Sequence, residues 1–161
     1  MTGTMDIVDV RALLPHRYPL LLVDAVRELV AGERVVVEKA VTVNEPWYSR
    51  VPDGAGRDEH QYPQALVLES WGQAAGVLVG SCEDLRERLR DSVMLFGSAS
   101  GVRYLRPVLP GDVLTHHVTI AKLFPDTVIV EGGSSVRQQP VMTVDQGLVA
   151  FRPASVLPST R

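Results

Sequence analysis

The stretch from Tyr62 to Cys82, YPQALVLESWGQAAGVLVGSC, constrains the fold more than any other part of the chain: it is an almost unbroken apolar run of helical length carrying one acid, Glu69. Leu66, Trp71, Ala74, Ala75, Leu78 and Val79 surround the helix axis instead of forming a stripe, so the helix is predicted to be buried and central. Gly72, Ala74, Ala75 and Gly76 leave room for a neighbouring sheet to approach closely. Each glycine weakens an isolated helix by about 1 kcal/mol relative to alanine, so tertiary packing must hold this one. A carboxylate inside such a run has to be paired, neutral or at work. An acid near a helix start also has a blander use, interacting with the helix dipole. Glu69 lies about two turns into the apolar stretch, which is deep for that purpose.

The rest of the composition narrows the setting. A chain of 161 residues has the length of one ordinary domain, taken here as 1–161, with enough residues for a proper core. The net charge of -3 and the lack of a basic run argue against nucleic acid as a partner. Cys82 stands alone, so no internal disulfide framework forms, and it is expected in the core. Without a signal peptide or a charge-free apolar span of about 18 residues, the expected location is the cytoplasm, away from the membrane. His16, His60, His116 and His117 have no metal-ligand spacing with cysteine or acidic partners.

Along the chain, Asp6 to Leu14 reads as a short amphipathic helix ending before Pro15. PHRYP then turns the chain. Leu20 to Val26 and Arg34 to Val43 are rich in β-branched residues and read as a hairpin about Ala31-Gly32-Glu33. Asn44-Glu45-Pro46 stops the second strand, and Trp47 to Gln61 reads as a long, mobile loop. After the helix, Glu83 to Asp91 carries both charge signs at helical spacing, as a solvated helical extension or surface linker does. Val93 to Ala99, Gly101 to Leu105, Val113 to Leu123, Thr127 to Val136 and Pro140 to Phe151 read as strands. His116 and His117 alternate faces on one of them, so one faces solvent. This order predicts an α+β domain in which a strongly curved antiparallel sheet wraps a long helix.

Four ordered segments resemble one family, the hot-dog-fold 3-hydroxyacyl-[acyl-carrier-protein] dehydratases of fatty-acid and polyketide synthesis. They are LLPHRYPLLLVD at Leu13 to Asp24, VTVNEPWY at Val41 to Tyr48, ALVLESWGQAAGVL at Ala65 to Leu78 and VRYLRPVLPGD at Val102 to Asp112. The resemblance implies elimination of water from a 3-hydroxyacyl thioester. The substrate would ride on the phosphopantetheine arm of an acyl carrier protein, with no other cofactor and no metal. A histidine takes the C2 proton, and a helix acid from the other subunit of a dimer assists departure of the C3 hydroxyl. Glu69 matches that acid. Gln64, Ala65, Gln73 and Val51 fall where substrate is held, a backbone amide near the helix start polarises the thioester carbonyl, and Arg103 and Arg106 would dock the carrier protein.

The sequence departs from that pattern at the histidine. After Asn44-Glu45-Pro46-Trp47-Tyr48 come Ser49-Arg50-Val51-Pro52, so Val51 stands where the family has its histidine, and the loop before the helix is longer by about four residues. Counted back from Glu69, the family interval of about fourteen residues reaches Ala55 instead. Neither side chain can move a proton. Gln64 also stands where the family has a glycine. His60 is the one histidine in the remodelled loop and is the candidate replacement base, while His16 matches a family histidine that organises the N-terminal turn. Four readings remain open: an acid-bearing subunit paired with a histidine-bearing homologue, a homodimeric dehydratase or isomerase using His60, a hot-dog thioesterase, and a non-catalytic acyl-binding protein.

Overall fold

The computed structural model describes residues 2–88, 90–153 and 155. Its elements are β1 (Thr2–Met5), α1 (Ile7–Leu13), β2 (Ala25–Val30), β3 (Arg34–Ala40), α2 (Gln64–Gly80), α3 (Glu83–Arg88), β4 (Ser92–Ser100), β5 (Arg103–Tyr104), β6 (Val113–Leu123), β7 (Thr127–Val136) and β8 (Gln139–Pro153). The strands form one antiparallel eight-stranded sheet in the order β1-β2-β3-β6-β7-β8-β4, with β5 paired to β8. The helix α2 packs against strands from both halves of this sheet.

Every turn of α2 from Ser70 onward is buried, and Trp71, Ala74, Ala75, Val77, Leu78 and Val79 are fully so. The small residues do what their size allows. A Cβ added to Gly76 would lie 3.0 Å from Leu14 Cδ2, and one added to Gly72 would lie 3.4 Å from the Phe96 ring. Trp71 meets the Phe96 ring edge-on at 6.0 Å and donates its indole N–H to the His117 carbonyl at 3.1 Å. The helix is thereby tied to β4 on one side and β6 on the other.

Sequence periodicity located most strands. It missed β1, which pairs with β2, and it placed a strand over Leu20 to Asp24, which the chain crosses as a turn and irregular segment. There the backbone N–H of Leu22 donates to the Gln73 side chain rather than to a neighbouring strand. The segment reading Gly101 to Leu105 contributes only the two residues of β5. The start of α1 is set by a capping box: the Asp6 carboxylate accepts from the Val8 and Asp9 N–H groups, and Asp9 reaches back to the Asp6 N–H.

The segment from Trp47 to Gln61, read from the sequence as a long loop, has local structure of its own. It holds two 3₁₀ turns, Pro46–Arg50 and Asp58–His60, with Tyr48 buried between them and the core. The Glu45 carboxylate fastens both ends. It accepts from Lys39 Nζ at 2.9 Å and the Thr42 N–H at 3.0 Å on one side, and from the Tyr62 hydroxyl at 3.2 Å on the other. Burial, assisted by Glu45, pushes the Tyr48 phenol up to about 12 and raises that of Tyr62, so both hydroxyls remain protonated donors.

Candidate active site

Glu69 sits at the edge of a cavity of about 340 Å³ between α2, the turn after α1, and β4. Its walls are mostly apolar, with Leu14, Met94, Leu95, Phe96 and Val149 among them, while Glu69, His16 and Gln73 supply the polar groups. The carboxylate is not as deep as its place in the sequence suggests, since the side chain is 37% exposed in the single chain. One face of the cavity is therefore open.

Two groups stand at Glu69 Oε1. Gln73 lies one helical turn further along α2 and donates through Nε2 at 2.8 Å. Its second Nε2 hydrogen goes to the Leu20 carbonyl at 2.7 Å, and its Oε1 accepts from the Leu22 N–H. Gln73 is thus fully used and cannot rotate without breaking the turn before β2. The second group is His16, whose Nε2 stands 3.5 Å from Glu69 Oε1. His16 is held there because Arg17 donates to the carbonyls of Leu14 and Arg11, folding the PHRYP turn back onto the end of α1. Glu69 Oε2 makes no hydrogen bond among the described residues.

The other sequence-derived candidates lie elsewhere. His60 is in the second 3₁₀ turn, where Nδ1 donates to the Gly56 carbonyl at 2.7 Å, and it does not line the Glu69 cavity. Val51 closes the first 3₁₀ turn and packs, half-buried, against the core. Gln64 and Ala65 occupy the exposed first turn of α2. Gln64 lines a separate cavity of about 200 Å³ with Tyr62, Val67, Tyr104 and Arg106. Arg106 is exposed, as is Arg103, which is engaged with Asp145 at 2.9 Å. The structure thus brings Glu69 and Gln73 together, sets Gln64 beside Arg106, and leaves Val51 and His60 in the loop.

Two histidines acquire meanings that sequence reasoning left out. His16 was assigned to a turn, and its approach to Glu69 depends on the way α1 docks against α2. The one available signal was that the PHRYP turn follows directly on the apolar Leu13-Leu14 pair that packs on the helix. His116 is fully buried between Ser70 on α2 and Ser134 on β7. The Ser70 hydroxyl donates to the Val67 carbonyl, so His116 Nε2–H donates to Ser70 Oγ at 2.8 Å and Nδ1 accepts from the Ser134 hydroxyl at 2.7 Å. Burial, with smaller repulsion from His117 and Lys39, pushes the imidazole down to about 3, so it is neutral and structural. His117 faces outward, as the strand alternation predicts. Burial raises the Cys82 thiol, which argues against a nucleophile there.

Comparison with known proteins places the chain in a family. A model of the FabA-like domain matches residues 14–145. The 3-hydroxyacyl-[acyl-carrier-protein] dehydratase FabZ of Nitratiruptor sp. is 35% identical over 134 residues, covering 82% of this chain and 88% of that protein. Among solved structures, the dehydratase heterocomplex ApeI:P from Xenorhabdus doucetiae superposes with a TM-score of 0.71 at 19% identity, over 91% of this chain and 92% of that one. A hot-dog-like protein from Thermanaerovibrio acidaminovorans gives 0.58 at 19% identity, over 80% and 87%. The fold is the hot-dog fold. Among the described residues, no helix is long and apolar enough to cross a membrane.

Proposed function

The chain belongs to the FabA-like domain family, and on that premise we propose that it is a 3-hydroxyacyl-[acyl-carrier-protein] dehydratase subunit which supplies the acid of a composite active site. The substrate is a 3-hydroxyacyl thioester on the phosphopantetheine arm of an acyl carrier protein, in fatty-acid or polyketide synthesis. Its acyl chain enters the apolar cavity beside Glu69. A base removes the C2 proton, the C2–H electron pair becomes the new C2–C3 double bond, and the C3 hydroxyl leaves as water with the proton from Glu69. The observation that carries this reading is Glu69 itself: a carboxyl group on a buried helix, at the mouth of an apolar cavity, with Oε1 engaged and Oε2 without a partner among the described residues.

The base is assigned to a second, homologous subunit. Val51 stands at the loop position of the family histidine, and His60 is turned to Gly56 by its own hydrogen bond. A surface for that partner is at hand. The edge strand β4 presents Leu95 and Phe96, 39% and 38% exposed, beside the open face of the cavity. The ApeI:P neighbour, a dehydratase heterocomplex, offers a precedent for such pairing.

The test is dehydration of a 3-hydroxyacyl carrier-protein thioester by this chain alone and by its mixtures with histidine-bearing dehydratase homologues. Absence of the base forfeits roughly 10² to 10⁴-fold. The expected result is therefore very low activity alone, unaffected by His60→Ala, and a large gain on mixing. Val51→His should recover part of that activity in the chain alone. Vigorous activity of the chain alone, abolished by His60→Ala, would overturn the assignment in favour of a homodimer using His60.

Carrier-protein docking is assigned to Arg106, with Arg103 as its weaker companion because Asp145 already neutralises it. Arg106→Glu should weaken binding of the acidic carrier protein several-fold at low salt and less at high salt, since screening removes the interaction in both proteins. Equal affinity of variant and parent in a low-salt titration would remove Arg106 from the docking surface.

A further inference from the structure

We propose that His16 is a positioning residue for Glu69, and that together with Gln73 it fixes Oε2 as the oxygen that carries and delivers the proton. The proposal rests on the reading of Glu69 as the dehydratase acid. It starts from an asymmetry in the carboxyl group. Oε1 receives the Gln73 N–H at 2.8 Å and faces His16 Nε2 at 3.5 Å, whereas Oε2 has no partner among the described residues.

The tautomer of His16 follows from its two ring nitrogens. Nδ1 is buried and has no hydrogen-bond partner among the described residues, so a proton there would be an unpaired buried donor. It would also leave the Nε2 lone pair facing the lone pairs of Glu69 Oε1. With the proton on Nε2, 3.5 Å from Oε1, that lone-pair repulsion gives way to an electrostatic attraction longer than a hydrogen bond, while Nδ1 stays a buried acceptor without a partner among the described residues. Oε1 then accepts the Gln73 hydrogen bond with the His16 N–H nearby, and is the acceptor oxygen of the carboxyl group. The acid proton is left to Oε2.

The arrangement also acts in the right direction during the reaction. As Glu69 gives its proton to the departing C3 hydroxyl, negative charge develops on the carboxylate, and N–H donors already aimed at Oε1 bind it more strongly than they bind the neutral acid. Stabilisation that grows toward the transition state appears in kcat. Neither donor requires reorganisation. Gln73 is fixed by Leu20 and Leu22, and His16 by the Arg17-bound turn.

Two measurements test this. In the protein labelled with ¹⁵N-histidine, long-range ¹H–¹⁵N correlation should show the His16 proton on Nε2, and Glu69→Ala should change that nitrogen's shift while leaving the buried His116 signals in place. In the mixture that shows dehydration, His16→Ala should lower kcat by about 10- to 100-fold with KM within about twofold, and His16→Gln, which retains an N–H donor, should recover most of the loss. A proton on Nδ1, or equal loss of kcat in the alanine and glutamine variants, would overturn the proposal. So would a change confined to KM. If no mixture dehydrates the thioester, the functional reading fails, and the tautomer and its response to Glu69→Ala still decide whether His16 and Glu69 are coupled.

Discussion

Glu69→Gln is expected to reduce dehydration by this protein in its active assembly by roughly 10² to 10⁴-fold, the range for removal of one general acid or base. The fold should be retained, because the amide oxygen of the new side chain can still accept the Gln73 N–H that now meets Oε1. The side chain is also only partly buried, so no unpaired charge or cavity is created. What is lost is the ability of the second atom to give up a proton to the leaving hydroxyl. The measurement is a single-turnover assay with the 3-hydroxyacyl carrier-protein thioester, beside thermal melting of the variant alone. Loss of rate with an unchanged melting point would place Glu69 in the chemistry. A variant within about threefold of the parent rate would show that another group protonates the hydroxyl.

The same residue shows what the sequence made legible. The run from Tyr62 to Cys82 identified a central helix because no soluble surface can present so many apolar residues, and α2 occupies Gln64–Gly80. That all-round apolarity also removed the polar face from which the direction of Glu69 could have been read. The exposure of its carboxyl group follows from where the sheet edge ends at β4, a tertiary fact. His16 illustrates the other kind of gap. It approaches Glu69 from a turn far away in sequence, through Arg17 hydrogen bonds to backbone carbonyls that carry no sequence signature. The loop from Trp47 to Gln61 looked mobile because Pro, Gly and charges fill it. It is held by one half-buried carboxylate, Glu45, whose partners Lys39, Thr42 and Tyr62 lie on both sides of it. Strand periodicity, in contrast, located β6 and β7 well, since each has one face against the core and one facing out.

Stability of the fold is expected to fall steeply as pH drops below 6.5, because of His116. The imidazole lies about 3 in the folded chain and about 6.5 when unfolded, so below 6.5 the unfolded chain takes up a proton that the folded one refuses. The stabilisation is complete above the unfolded value and is lost progressively as pH falls toward the folded one. Each pH unit across that window costs about 1.4 kcal/mol, and the whole window on the order of 4 to 5 kcal/mol. That is a large share of a typical domain stability of about 5–15 kcal/mol. Among the described residues the groups facing the ring are the Ser70 and Ser134 hydroxyls, with Lys39 and His117 adding repulsion, so no carboxylate there rescues the cation. Urea unfolding between pH 7.5 and 5 isolates the effect, since most carboxylates stay ionised there. His116→Gln removes the titrating group and keeps an amide able to bond to both serines. The variant should be less stable than the parent at pH 7.5, yet lose about 2 kcal/mol less between pH 6.5 and 5. Groups common to both proteins cancel in the difference. Parallel stability curves through that window would show that the parent accommodates a charged His116, and that the Ser70-His116-Ser134 link between α2, β6 and β7 opens to admit the proton.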